Sequence, residues 1–435
     1  MNIKEFAKRR SRLMGMIGNG SIVILPSTPI SYRNRDVEYP YRPDSDFYYL
    51  TGIPEPEAVA VLIPGRKQGE FIMFCRERDA KMEAWTGPRI GQERACSVYG
   101  ADDAFPIDDI DEILPGLLED CEKVYYTMGS HQEFDQKLME WLNQIRQKSR
   151  AGIHTPAEFV ALDHLLHEMR LFKSVGEVKA MHKAARISAL AHQRAMRFCR
   201  PGMMEYQIEA ELIHEFMHHG ARSPAYPPIV GGGSNACVLH YTDNNEVLND
   251  GDLLLIDAGA EYDGYAADIT RTFPVNGRFT PSQAAIYEVV LAAQLAAIRK
   301  VVPGNHWNDP HDAAVRTLTK GLLELGLLKG SLRELIKSEA YRRFFMHRTG
   351  HWLGMDVHDV GDYKIGNAWR LLEPGMVMTV EPGIYIPDHS KGVAKKWWKI
   401  GVRIEDDVLV TRDGHEVLSN DAPKSIAAIE ALMAG

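Results

Sequence analysis

The sequence predicts an α+β protein of two domains: a smaller α/β domain over residues 1–170, and a larger one over 171–435 built from duplicated α/β half-domains with antiparallel sheet. Three observations point there. A chain of 435 residues exceeds what one hydrophobic core usually supports. Strand-like and helix-like runs alternate through its first third, as in an α/β domain. The remainder repeats itself: helix, Pro201-Gly202, helix, Gly220 is followed by helix, Pro303-Gly304, helix, Gly326.

Residues 4–18 predict a short basic-faced helix ending at the turn Gly18-Asn19-Gly20. Ser21 to Leu25 reads as a buried strand stopped by Pro26; Ala58 to Ile63 and Phe71 to Phe74 read as two more, joined by Pro64-Gly65. A further strand is expected at 123–126, with helices at 108–120 and 131–146. The aromatic and charged stretch RNRDVEYPYRPDSDFYYLTG, Arg33 to Gly52, reads as a packed loop with a satisfied polar network. Trp85 falls in a turn-rich segment, where so large an aromatic is expected to be exposed or at an interface. Ser174-Val175-Gly176-Glu177 has capping-box spacing and opens a long helix that stops at Pro201-Gly202, which places the domain boundary near residue 171. Helices over 281–300 and 309–325 complete the second half.

What ends each half is more informative. Asn249-Asp250-Gly251 turns into an apolar run, LLLI, that reaches Asp257-Ala258-Gly259; Glu373-Pro374-Gly375 turns into VMTV and reaches Glu381-Pro382-Gly383. Each carboxylate falls six residues after one glycine and two before the next. Each is followed by a second acid on a returning strand, Asp268 in one half and Glu405 in the other. Asp263-Gly264 is a strong hairpin signal, because the turn needs positive φ. A turn centred on Tyr262-Asp263 sets Asp257 opposite Asp268; one centred a residue later makes them diagonal neighbours. In an isolated hairpin, two such aspartates would ordinarily be solvated turn residues. The second copy weighs against that.

Two hairpins related by a pseudo-twofold would bring four carboxylates together, which is untenable in a buried cleft without cations. Two divalent ions would neutralise them. Oxygen-rich ligation with at most one imidazole suits manganese, or its neighbours cobalt and iron, better than structural zinc. Two such ions about 3.5–4 Å apart can share a hydroxide and clamp a carbonyl oxygen. The imidazole is expected from FFMHRTGHWLGMDVHD, which contains His347, His351 and His358. His347 and His351 have the spacing of a helical zinc motif, but Arg348 replaces its glutamate and Gly350 opposes a helix. His240, just before the first hairpin, joins the candidates. His218-His219 suits a helix C-terminus, and Gly231-Gly232-Gly233 lacks the lysine of a phosphate loop.

A formal net charge of −9 argues against nucleic-acid or anionic-membrane partners. Five scattered cysteines without a Cys-x-x-Cys pair read as reduced thiols. The charged N-terminus has no apolar secretory core, and the apolar runs are too short to span a bilayer, so a cytoplasmic location is expected.

The ordered set Asp257, Asp268, His351, Glu381, Glu405 resembles the five ligands of the dinuclear pita-bread metallopeptidases, the family of methionine aminopeptidase, prolidase, creatinase and aminopeptidase P. The resemblance spans the chain. RNRDVEYPYRPDSDFYYLTG is similar to the N-terminal, creatinase-N-like domain of the bacterial aminopeptidase P branch, and HYTDN, HRTGHWLGMDVHDVG, EPGMVMTVEPGIYI and GVRIEDD are similar to its catalytic domain. The resemblance implies that Asp257 chelates one metal, that Asp268 and Glu405 bridge the pair, and that His351 and Glu381 complete the other. Glu381 is then also the general base. His358 and His240 orient the scissile carbonyl and the proline, His347 and Arg403 support the pocket, and Tyr226 and Tyr385 line it. Trp85 matches a tryptophan offered to a neighbouring subunit, which implies a homotetramer or homodimer. The poorly matched stretch 387–399, with Trp397-Trp398, leaves its part in specificity open.

The expected activity is removal of the N-terminal residue from peptides with proline second, by attack of metal-bound hydroxide on the Xaa-Pro carbonyl. That amide is tertiary and has no N–H to offer a general peptidase. Two alternatives stand beside it: a prolidase limited to Xaa-Pro dipeptides, and an inactive relative acting as a binding module.

Overall fold

The computed structural model describes residues 2–435 and divides into two compact units, Met1–Met169 and Arg170–Gly435. In the first, a mixed sheet runs in the order Asp103–Pro106, Phe71–Cys75, Val59–Leu62, Ser21–Pro26, Lys123–Tyr125, Glu158–Val160. The central neighbours are antiparallel and the flanking pairs parallel. The β-branched run Ile22, Ile24, Val59, Val61, Ile72 packs on Leu114, Leu118, Leu138 and Trp141 of the helices Ile110–Leu118 and Gln132–Gln147. The first strand continues through Pro26 rather than stopping before it. The aromatic stretch is not all loop. Tyr32–Asn34 pairs with Val37–Glu38, and Ser45–Thr51 is a helix whose N-terminus is capped by Asp44, with Phe47, Tyr49 and Leu50 buried. Trp85 lies on the short helix Ala80–Thr86 and is 83% exposed.

The second unit opens with the expected cap. The Ser174 backbone N–H donates to Glu177 Oε2 at 2.9 Å, and the Glu177 N–H returns to Ser174 Oγ at 3.4 Å, starting the helix Val175–Phe198. Helix Glu205–His218 follows, and the second half repeats the pair as Pro281–Ile298 and Asp309–Glu324. Pro281–Ile298 is long and apolar enough to match a bilayer span, yet Tyr287, Val290 and Ala293 are in the core and buried Gln294 donates to Asp406. It is a core helix.

Each half carries an outer antiparallel sheet, Ile229–Gly232/Leu253–Asp257/Thr270–Pro274 in one and Val377–Val380/Asp406–Thr411/Gly414–Val417 in the other. An inner ribbon extends each: Ala260–Tyr262/Tyr265–Ala266 and Gly383–Ile386/Ile400–Arg403. The first ribbon turns at Asp263 and Gly264, both with positive φ, so the later of the two turn positions holds. Asp257 therefore faces Thr270, and Asp268 is its diagonal neighbour. In the second half the register sets Glu381 opposite Glu405, since Val380 pairs with Asp406 and Gly383 with Arg403. The duplication is thus offset on its return strands. Thr270 occupies the place of Glu405, and Asp268 the place of Arg403.

Candidate metal centre

Backbone pinches at the glycine after each first carboxylate bring the acids together. A Cβ on Gly259 would lie 1.6 Å from the Ala267 carbonyl oxygen, and one on Gly383 would lie 2.8 Å from that of Val402. No side chain fits there. Segment 349–353 runs antiparallel beside Val377–Val380, with Thr379 N donating to His351 O at 3.0 Å and Glu381 N to Thr349 O at 2.8 Å. That pairing carries His351 to the acids on extended backbone. A Cβ on Gly350 would meet Thr379 O at 2.0 Å, which explains the glycine and the absence of a helical motif.

Asp268, His351 and Glu405 present ligand atoms that all lie within 4.8 Å of one another. Glu381 joins through His351, Oε1 being 3.9 Å from Nε2, and Asp268 Oδ2 is 3.3 Å from the same nitrogen. Asp257 joins through Tyr226, whose hydroxyl is 2.6 Å from Asp257 Oδ1 and within hydrogen-bonding distance of Asp268 Oδ1. One phenolic proton cannot serve two carboxylates, so the pair requires a further positive charge. His351 Nδ1 faces the Trp352 carbonyl at 2.9 Å, which fixes the proton there and leaves Nε2 as the ligand atom in the neutral ring.

Electrostatics make the same demand. Burial, then the Asp257 charge, raises the Asp268 carboxyl above its usual range. Burial pushes Glu381 up to about 7 and Glu405 well above the carboxylate range, the other acids adding to it. Asp257 alone stays low: burial opposes this, but Arg403 Nη2 donates to Oδ2 at 2.6 Å. His351, despite burial, is held protonated up to about 9 by Asp268. Four acids answered by one arginine and one borrowed proton match the donor set of two divalent cations, with oxygen ligands and a single imidazole.

The flanking residues form a row. Arg403 Nη1 donates to the Tyr385 hydroxyl at 3.0 Å, which donates to His347 Nε2 at 2.9 Å, while His347 Nδ1 faces the Arg348 carbonyl at 2.7 Å. Burial and Arg403 push His347 down to about 3, so the ring is neutral. The site floors a cavity of about 590 Å³ that His240, His347, His358 and Arg403 also line. Tyr226 and Tyr385 lie behind it, bonded to its acids and to Arg403. Trp397 is buried in the core, and neither it nor Trp398 lines the cavity.

Several residues escaped the sequence reading. Thr270 Oγ1 donates to Glu405 Oε2 at 2.6 Å and accepts from Arg403 Nε at 3.1 Å. Asp407 accepts the Asp268 backbone N–H at 3.2 Å. Asp406, held down to about 2 despite burial by Arg271 and Lys424, anchors the strand between them. Three successive acids inside an apolar strand, Glu405-Asp406-Asp407, were the available signal. Trp307, Arg348, Tyr363 and Trp369 also line the cavity.

Comparison with known proteins agrees with this architecture. The model of metallopeptidase family M24 matches residues 179–412, and that of the aminopeptidase P N-terminal domain matches 6–125. The chain belongs to metallopeptidase family M24. Among M24 relatives, the Xaa-Pro aminopeptidase of Escherichia coli (strain K12) is 46% identical over 431 residues, covering 99% of this chain and 97% of the relative. The structure of Pseudomonas aeruginosa aminopeptidase PepP is 61% identical with a TM-score of 0.99, covering 100% of this chain and 98% of that one. A Zn-substituted E. coli aminopeptidase P in complex with product is 46% identical with a TM-score of 0.97, at 100% and 98% coverage. The M24 fold is therefore the pita-bread arrangement of two half-domains, with a separate N-terminal domain.

Proposed function

We propose that the chain is an Xaa-Pro aminopeptidase, which hydrolyses the bond before a proline in second position and releases the N-terminal residue. One observation carries this: a largely buried set of four carboxylates and one imidazole, edged by Arg403, in a chain similar over its whole length to enzymes of that name. Asp257, Asp268, His351, Glu381 and Glu405 would hold two divalent ions, with manganese favoured by the oxygen-rich donors. When bound, such ions polarise the carbonyl and make water acidic enough to attack.

The chain's own groups do the rest. Glu381 lines the cavity beside His351, where it is placed to take a proton from water. His358 and His240 face the cavity and orient the carbonyl and the proline ring; burial and then His351 lower the His358 pKa, which favours a neutral donor. The row Arg403–Tyr385–His347 holds Asp257 ionised and in place. The scissile Xaa-Pro amide is tertiary and brings no N–H into the site. The functional form is a homotetramer, or at least a homodimer, in the cytoplasm, and the exposure of Trp85 supports its use against a neighbouring subunit.

The test is manganese-dependent release of glycine from Gly-Pro-Phe, with Gly-Pro alongside. Cleavage of the tripeptide, lost in a folded Glu381→Ala protein, is the expected result. Cleavage of Gly-Pro alone would make the enzyme a prolidase, and undiminished turnover by Glu381→Ala would remove its role as base.

A further inference from the structure

The aromatic wall of the cavity is built differently from its floor. Trp307 and Tyr363 pack with ring centroids 4.7 Å apart, and Trp369 stands beside them on a short exposed hairpin, Lys364–Ile365 against Ala368–Trp369. The Arg348 guanidinium lies over the Trp369 ring at 5.0 Å, and Lys364 Nζ sits 4.4 Å from the same centroid. Among the described residues, Arg403 and Arg348 are the arginines lining the cavity, and no lysine does. Arg403 is committed to Asp257 at 2.6 Å. Arg348 donates to the neutral Asn308 side chain, and among the described residues no carboxylate stands within ion-pair distance of it. Asp312, the anion that acts on it from farther off, already accepts from Asn308 at 2.8 Å. An exposed planar cation on an aromatic plate, in a cleft otherwise dominated by acids, is suited to a carboxylate.

The spacing says which one. Arg348 stands three residues before His351 in the chain, so their Cα atoms are at most about 10 Å apart, no more than the length of a tripeptide. A peptide whose first carbonyl lies at the metal ligands would bring the end of its third residue to this wall. We propose that Arg348, seated on Trp369, is a specificity determinant that takes the C-terminal carboxylate of short Xaa-Pro-Yaa peptides, with Trp307 and Tyr363 against the third side chain. This rests on the Xaa-Pro aminopeptidase reading above.

The experiment compares kcat/KM for Gly-Pro-Phe and for its C-terminal amide, in the manganese-loaded wild type and in Arg348→Met and Arg348→Lys. The acid-to-amide ratio is internal to each protein, so partial loss of folded enzyme cancels. The wild type should favour the acid by about tenfold, as expected for a hydrogen bond between charged groups. Arg348→Met should bring the ratio near one and Arg348→Lys should restore part of it. With a six-residue peptide, whose carboxylate lies beyond reach, acid and amide should be cut equally by all three. An unchanged ratio in Arg348→Met, or an equal acid preference with the six-residue peptide, overturns the assignment. Failure of the wild type to cut either tripeptide form would instead sink the aminopeptidase reading, and this inference with it.

Discussion

Replacing Asp359 with asparagine tests how the loop bearing His358 is held. Asp359 Oδ1 accepts from Arg170 Nη2 at 2.5 Å and Oδ2 from Lys173 Nζ at 2.9 Å, and all three side chains are buried. Its backbone N–H donates to Trp352 O at 2.9 Å, which ties the loop to the segment carrying His351. Asparagine keeps the shape but removes the anion from between two buried cations; Asp356, a further carboxylate on Arg170, is partly exposed. Breaking a buried ion pair in this way costs about 3–5 kcal/mol. At roughly 2–4 °C per kcal/mol for a unit of this size, the melting temperature should fall by roughly 6–20 °C. The pH dependence has a definite sign. Burial opposes ionisation, but Lys173 and Arg170 hold the Asp359 carboxyl below its ordinary value. Its stabilisation is therefore complete above the unfolded pKa of about 3.9 and is lost as pH falls through the folded value. Calorimetric melts of wild type and Asp359→Asn should differ by the same amount at pH 6 and pH 8, and converge only in acid. A variant melting within about 2 °C of wild type at neutral pH, below the smallest shift the ion pair allows, would refute the reasoning.

Three further perturbations follow from the packing. His192 is fully buried with Nε2 donating to the Ala258 carbonyl at 3.0 Å, and burial holds its pKa down to about 4. Stability is then full above the unfolded value of about 6.5 and falls by about 2–3 kcal/mol as pH drops from there towards the folded value. Urea unfolding between pH 7.5 and 5 should show a smaller loss in His192→Gln than in wild type, and equal losses would rule the histidine out as the source. Gly259→Ala should cost about 3 kcal/mol or more, because its methyl would meet the Ala267 carbonyl oxygen and no flexible side chain can yield. Gly116→Ala, in a helix with open space around it, should instead raise stability by up to about 1 kcal/mol. Paired denaturation curves check both, and a harmless Gly259→Ala would contradict the pinch at the first carboxylate.

Where the determinants are local, the sequence was readable. Asp263-Gly264 declares a hairpin because few residues accept positive φ, and the spacing of Asp257 and Glu381 between glycines declares the duplication. Ser174 and Glu177 announce their own helix start. Long-range facts were hidden. The offset that places Thr270 where the other half has Glu405 depends on strand register, which two adjacent turn positions left open. Asp359 looks like any charged loop residue, because its partners lie 186 and 189 positions away. The helix Ser45–Thr51 was masked by aromatic residues that favour strands. Trp307, Arg348 and Trp369 meet only once the second half has folded, so their common wall had no signature in any single segment.

The central claim, that the two halves gather their acids to hold a pair of cations, is tested most directly by calorimetric titration of metal-stripped protein with manganese in buffers of different ionisation enthalpy. The metal-free site stores protons at neutral pH, on His351 with its value near 9 and on the raised carboxyls Glu381 and Glu405. Binding must displace them. Two equivalents per chain, net proton release at pH 7 and tighter binding as pH rises are predicted; a single equivalent, or binding without proton release, would contradict the account.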